Sequence, residues 1–248
     1  MHVIIPARYA SSRLPGKPLA DIAGKTMIER VYDSARTSGA ERVTIATDDE
    51  RIRATAEAFG AEVCMTAAHH PSGTDRIAEA IRKLNVKADE IVVNLQGDEW
   101  AMPPRLLRRV AETLEHCPEA VMATACHRID DIDMFIDPNA ARVVLDRDGY
   151  ALYFSRAAIP RLRDSPAGDR YVPSIAYRHV AVFAYRAGFV ARFCGWGPCE
   201  LERIEQLEQL RVLWHGERIA VHVTDEPPLK SIDTPEDLER ARRYFSEK

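Results

Sequence analysis

The run His2-Val3-Ile4-Ile5-Pro6-Ala7-Arg8-Tyr9-Ala10-Ser11-Ser12-Arg13-Leu14-Pro15-Gly16-Lys17-Pro18-Leu19 decides how the chain is read. Residues 3–6 form an apolar, β-branched stretch, the pattern of a strand covered on both faces. A loop follows at once with three cations, Arg8, Arg13 and Lys17, inside ten residues. It therefore lies at the carboxyl end of the strand, where open α/β sheets bind ligands. Ala10, Ser11, Ser12 and Gly16 let the backbone approach an anion and supply N–H and hydroxyl donors. Such a cradle suits a polyphosphate, whose charge it neutralises as the leaving group departs. The bland alternative is a solvated basic loop, but exposed loops rarely place so much charge directly after a buried first strand. Neither G-x-x-x-x-G-K-[ST] nor G-x-G-x-x-G occurs anywhere in the chain, which demotes P-loop NTPase and Rossmann dehydrogenase readings.

Outward from that loop, strand-like runs at 42–46, 62–65, 90–95 and 120–126 alternate with amphipathic stretches. Ile28, Val31 and Ala35, like Leu107, Val110 and Leu114, fall at i, i+3, i+7. Ile52, Ala56 and Phe59, like Ile77, Ile81 and Leu84, fall at i, i+4, i+7. This alternation predicts an α/β fold, a mostly parallel central sheet with helices on both faces. After residue 140 the rhythm changes. Strands at 142–146 and 150–154 flank Arg147-Asp148-Gly149, where Asp-Gly favours a tight hairpin. A polar loop at 160–173 precedes a strand at 179–185, then a single helix over about 200–214 carrying Leu201, Ile204, Leu207 and Leu210. A strand at 218–224 leads to a last helix with Thr234 as N-cap, Pro235 at its first position and Asp237 at its third. No repeat, low-complexity tract or long linker divides the chain. The expectation is one domain over 1–248 with a smaller β-rich lobe at about 140–195.

The 248 residues are 46% hydrophobic and 29% charged, enough to bury a core without disulfides or a structural metal. With 34 basic against 38 acidic side chains the net charge is −4, which argues against a dedicated nucleic-acid binder. No run of 18 apolar residues offers a membrane span, and no signal-like segment precedes His2, so the reading is cytoplasmic. Cys64, Cys117, Cys126, Cys194 and Cys199 lack a zinc-like pairing and read as reduced thiols.

Other loops carry candidate chemistry. Asn94-Leu95-Gln96-Gly97-Asp98-Glu99 turns sharply at Gly97 and leaves Asp98 at the sheet's carboxyl edge, where it suits Mg²⁺. Asp233, in Ser231-Ile232-Asp233-Thr234-Pro235, is the best second carboxylate, although an Asp ahead of a helix is usually a cap. Pro71-Ser72-Gly73-Thr74-Asp75-Arg76 opens a helix and offers donors to a base, ribose or phosphate, or is simply a capping turn. Glu208-Gln209, Arg156 and His179 complete the polar candidates, each also readable as a solvated or structural residue. His69 and His70 read as loop residues.

Taken in order, six stretches resemble the 3-deoxy-manno-octulosonate cytidylyltransferase family across nearly the whole chain. They are Pro6 to Leu19, Ser72-Gly-Thr-Asp-Arg76, Gln96-Gly-Asp98-Glu, Gly149-Tyr-Ala-Leu-Tyr-Phe-Ser-Arg156, Glu208-Gln-Leu-Arg211 and Asp233-Thr-Pro-Glu-Asp-Leu238. The resemblance implies a nucleotide-diphospho-sugar-transferase-like fold and transfer of CMP from CTP to 3-deoxy-D-manno-octulosonate (Kdo), for lipopolysaccharide synthesis. It also implies Mg²⁺ as cofactor, pyrophosphate as product and a homodimer formed through the β-rich lobe. Ala7, Arg8, Ser11, Ser12, Arg13, Lys17, Ser72, Gly73, Arg76 and Gln96 would then hold the nucleotide. Asp98 and Asp233 would carry the metal and, with Lys17, the catalytic charge; Arg156, His179, Tyr185, Glu208 and Gln209 would line the sugar-acid pocket.

Several positions depart from the family pattern. Trp100 stands where proline is expected, Ala181 and Ala184 where glycines are usual, and Arg142 where a lysine is common. Leu229-Lys230-Ser231-Ile232 replaces a glycine just before a valine-aspartate pair. The alternatives are the same chemistry on 8-amino-Kdo or another acidic sugar and, from a different class, an inactive CTP-binding regulator.

Overall fold

The structure is a computed structural model that describes residues 1–10, 14–163 and 171–246. In chain order the strands of the first half are β1 (His2–Ala7), β2 (Asp21–Ile22), β3 (Lys25–Thr26), β4 (Arg42–Thr47), β5 (Glu62–Met65), β6 (Ile91–Leu95) and β7 (Ala120–Arg128). Between them run α1 (Met27–Thr37), α2 (Glu50–Ala58), α3 (Gly73–Lys83) and α4 (Pro104–His116). The second half contains α5 (Ile132–Ile136), β8 (Arg142–Leu145), β9 (Ala151–Ser155), β10 (Tyr177–Arg186) and α6 (Ala187–Trp196). It closes with α7 (Glu200–Glu205), α8 (Leu210–Trp214), β11 (Arg218–Val223) and α9 (Pro235–Ser246).

The main sheet runs β11-β7-β10-β6-β1-β4-β5. The pairs β1–β4, β1–β6, β4–β5 and β7–β11 are parallel, while β10 lies antiparallel between β6 and β7. Val3, Ile4 and Ile5 are fully buried because helices cover both faces of β1, and each such side chain contributes roughly 1.5–3 kcal/mol. The helical spacings match what is covered. Ile28, Val31, Ala35, Leu107, Val110 and Leu114 are all fully buried. From β1 the chain builds β4 and β5 on one side, then crosses to place β6 on the other. That reversal leaves a crevice above the carboxyl ends of β1 and β6, the place where such sheets take ligands.

The 140–195 stretch is tied closely into this sheet. The β8–β9 hairpin hangs on the start of β10, whose remainder lies inside the main sheet, and α6 ends the stretch. Two helical elements went unanticipated, α5 and α6. The helix expected over 200–214 is broken. It stops at Glu205, Gln206 turns left-handed (φ 54°, ψ 45°), and α8 begins only at Leu210. The cause is Arg156, which takes the carbonyls of Glu205 and Gln206 away from helical continuation (2.8 and 3.3 Å). Ile204, which fits the apolar period, is consequently 71% exposed.

Candidate active site

The loop after β1 re-enters the fold through Gly16, whose φ of 71° is the left-handed region that favours glycine. The short 3₁₀ turn Lys17–Leu19 follows and buries Lys17. After β6 the chain turns at Gly97, where a Cβ would come within 3.0 Å of the Pro6 carbonyl oxygen. These two turns bring Lys17 to Asp98. Its ammonium lies 2.7 Å from Asp98 Oδ2 and 3.2 Å from Asp233 Oδ1. Residues from three distant segments thus share one cation.

Asp233 is held there by the start of α9. Asp237 accepts from the backbone N–H groups of Asp233 and Thr234 at 3.1 Å, and the Thr234 hydroxyl accepts from Asp237 N–H at 3.2 Å. Burial opposes ionisation of Asp237, yet Arg240, these N–H donors and Lys230 hold its carboxyl well below the usual range. The cap is Thr234 with Asp237, so Asp233 itself is released from capping to face the cavity.

A cavity of about 260 Å³ is lined by Ala7, Arg8, Lys17, Ser72, Gly73, Arg76, Gln96, Asp98 and Asp233. The structure therefore brings together every expected nucleotide and metal residue it describes; Ser11, Ser12 and Arg13 lie outside the described residues. Ser72 caps α3, accepting from Asp75 N–H at 3.1 Å and donating to Asp75 Oδ2 at 2.7 Å. Arg76 is buried, paired with Asp48 at 3.0 Å and donating to Thr66. Gln96 donates to Asn94 Oδ1 at 3.0 Å.

A second cavity, of about 290 Å³, adjoins the first across one peptide, since Asp98 lines one and Glu99 the other. Arg156, His179, Glu208 and Gln209 all line it. The broken helix matters here, because Glu208 and Gln209 project from the turn between α7 and α8 instead of from a helical face. Glu208 accepts from the Thr74 hydroxyl, and burial pushes its pKa up. Gln209 is 4% exposed and its Nε2 has no hydrogen-bond partner among the described residues. His179 Nε2 lies 2.8 Å from the Thr124 hydroxyl, and burial lowers its pKa to about 3, so the ring is neutral near pH 7.

Tyr185 departs from expectation. It is 1% exposed, packs in the apolar layer with Phe183 and Phe154, and does not line the cavity. Burial pushes its phenol pKa up, and its hydroxyl meets Asn94 and Thr74 close to Glu208. Two other residues went unanticipated. Glu99 lines the second cavity with a pKa raised to about 8 by burial and by neighbouring Asp98, partly offset by Arg178. Arg178 lines it as well, and it adjoins His179 in a strand, where alternation assigns only one of two neighbours to a given face. Both pair regularly with β7, at His127 and Cys126, and the register skips only beyond them, from Val180–Ala125 to Phe183–Thr124. Ala181, in that skip, is exposed to the cavity, whereas Ala184 is fully buried.

Trp100 has a clear setting. Its Nε1 donates to the Lys230 carbonyl at 3.2 Å and its indole packs edge-on against Tyr244 and Phe245 of α9. The Ile232 N–H donates to Asp98 O at 3.3 Å. The two carboxylate-bearing loops are thus fastened to each other.

A cytidylyltransferase family model matches residues 2–219. A 3-deoxy-manno-octulosonate cytidylyltransferase of Vibrio cholerae serotype O1 (strain M66-2) is 54% identical over 247 residues, covering 99% of this chain and 98% of its own length. The chain belongs to the 3-deoxy-manno-octulosonate cytidylyltransferase family. A relative of the same name from Aliivibrio fischeri (strain MJ11) is 55% identical over 245 residues, 98% of each chain. A solved CMP:2-keto-3-deoxy-manno-octonic acid synthetase complexed with CTP superposes with a TM-score of 0.89 at 38% identity, covering 99% of this chain and 98% of that one. A cytidylyltransferase from Leptospira borgpetersenii, at 16% identity and a TM-score of 0.64, shares the fold. No helix among the described residues is long and apolar enough to cross a membrane.

Proposed function

We propose that this family member transfers CMP from CTP to the anomeric 2-hydroxyl of Kdo, releasing pyrophosphate. The observation that carries this reading is two polar cavities meeting at Asp98–Glu99, with a cation-and-carboxylate cluster on the side that suits a triphosphate. In the reaction the 2-hydroxyl oxygen bonds to the α-phosphorus in line as the bond to the β-phosphate oxygen breaks. The hydroxyl proton leaves to solvent and pyrophosphate departs against Arg8 and Lys17. Most of the acceleration comes from holding the two substrates in register and neutralising charge.

Asp98 and Asp233 fit a divalent cation on the chemistry they already display. One oxygen of each lies within 3.2 Å of a single Lys17 ammonium, so the pair is arranged to share a positive centre. Two carboxylates so placed suit Mg²⁺, which takes one or two carboxylates together with phosphate oxygens. When bound there, Mg²⁺ would screen the phosphates and favour ionisation of the hydroxyl. Lys17 would then turn toward the phosphates.

The same reading makes the enzyme a cytoplasmic homodimer. Pyrophosphate release from CTP and Mg²⁺, with Kdo, 8-amino-Kdo and sialic acid offered separately, tests the acceptor. Release with Kdo is expected; release with the amino sugar alone would reassign the substrate, and silence with all three would sink the reading.

A further inference from the structure

We propose that Arg178, rather than Arg156, receives the carboxylate of the acceptor, and that Arg156 braces the pocket that presents it. This deepens the sugar-acid reading above and rests on it.

Arg156 is already engaged. Its Nε donates to Glu205 O at 2.8 Å and its Nη2 to Gln206 O at 3.3 Å, so the fork formed by these two nitrogens is occupied by backbone. Its Nη1 donates to Asn139 O at 3.1 Å. The Arg156 backbone N–H and the Ser155 hydroxyl hold the Glu205 carboxylate at 2.9 and 2.6 Å. Together these bonds fix the left-handed break at Gln206, from which Glu208 and Gln209 reach the cavity. Recruiting Arg156 to a ligand would release the turn that builds the site.

Arg178 has the opposite character. It lines the same cavity, and among the described residues its guanidinium makes neither a hydrogen bond nor an ion pair. Glu99 lines the cavity too but does not come within ion-pair distance of it. Fully buried Arg142, held by the carbonyls of Ala140, Arg156 and Met134 without a carboxylate, adds positive potential behind the pocket. An open, half-buried guanidinium fork in such surroundings is matched by a small carboxylate, which it takes through two parallel N–H bonds. Gln209 Nε2, buried and unpartnered on the same cavity wall, is a second donor awaiting an acceptor oxygen.

The test compares Kdo with its C1 carboxamide on the full chain and on three variants, Arg178→Gln, Arg178→Lys and Arg156→Gln. The unaltered protein should prefer the acid. Arg178→Gln should raise the acceptor KM roughly 10- to 100-fold, leave the CTP KM unchanged and erase the preference of acid over amide. Arg178→Lys should recover part of that preference, and it carries the test if Arg178→Gln fails to fold. Arg156→Gln should lower the melting temperature and weaken acid and amide alike. An acid-to-amide ratio untouched by Arg178→Gln and erased by Arg156→Gln would overturn the inference. No turnover of Kdo by the unaltered protein would overturn the sugar reading itself, and the inference with it.

Discussion

The two adjoining cavities are built in opposite ways. Around the first, polar groups satisfy one another: Lys17 with Asp98 and Asp233, Arg76 with Asp48, Ser72 with Asp75. Around the second, Glu208 and His179 meet hydroxyls, but Arg156 is held by backbone, and Gln209 Nε2 and Arg178 are left open among the described residues. The first site thus carries its own counter-charges, which a triphosphate with a metal would rearrange by exchanging partners. The second keeps a positive excess and unsatisfied donors that only an anionic, hydroxylated ligand relieves. A carboxylate-bearing sugar fits that deficit; a neutral sugar leaves the charge uncompensated.

The sharpest way to break this contrast is at the junction. Asp98→Asn keeps shape and removes the charge, so turnover should fall roughly 1,000-fold, while the melting temperature moves little. Pyrophosphate release and a thermal melt read both quantities. An unchanged rate would remove Asp98 from the chemistry.

The second cavity should respond differently. Gln209→Met deletes an amide whose Nε2 has no partner in the free protein, so folding stability should hold or rise slightly. The acceptor KM should increase about tenfold while the CTP KM stays put. Equal effects on both KM values would mean that the two cavities are not separate binding sites.

A pH effect belongs to the same wall. His179 is neutral in the fold, with its pKa lowered from 6.5 to about 3 by burial. Between these values the unfolded chain binds one more proton than the folded one. The stability that neutral His179 supplies is therefore complete above about pH 6.5 and is lost as pH falls toward 3. His179→Asn should flatten the acid side of the stability curve by up to about 1.4 kcal/mol per pH unit, measured by urea unfolding from pH 7.5 to 5. A parallel curve for the variant would show that the ring titrates normally.

The smallest effect is expected at Trp100. Trp100→Phe keeps an aromatic ring against Tyr244 and Phe245 but loses the bond to Lys230 O. It should cost about 1 kcal/mol and lower the melting temperature by roughly 2–4 °C. A much larger loss of turnover than of stability would mean that the clamp also sets the spacing of Asp98 and Asp233.

The contrast between the cavities also governs what the sequence discloses. The first is made of short contiguous motifs at strand ends and one helix start, so Arg8, Lys17, Ser72, Arg76, Gln96 and Asp98 can be picked out by position alone. Asp233 is legible because Thr234-Pro235 announces a helix start. The second cavity depends on events without a local signature. Arg156 breaks a helix fifty residues away, and Arg178 and His179, neighbours in one strand, both reach the same pocket. Ile204 misleads for the same reason, since apolar spacing does not report that a break interrupts the helix. The parallel order of β1, β4, β5 and β6 is legible from buried runs alternating with helices; the antiparallel entry of β10 between β6 and β7 is not.

The most direct measurement is ³¹P NMR of the purified protein with CTP, MgCl₂ and Kdo, followed by the same mixture without Kdo. CMP transfer gives equal amounts of pyrophosphate and a new phosphodiester resonance with Kdo present, and leaves CTP intact without it. Hydrolysis of CTP at the same rate in both tubes, or CTP untouched in both, would contradict it.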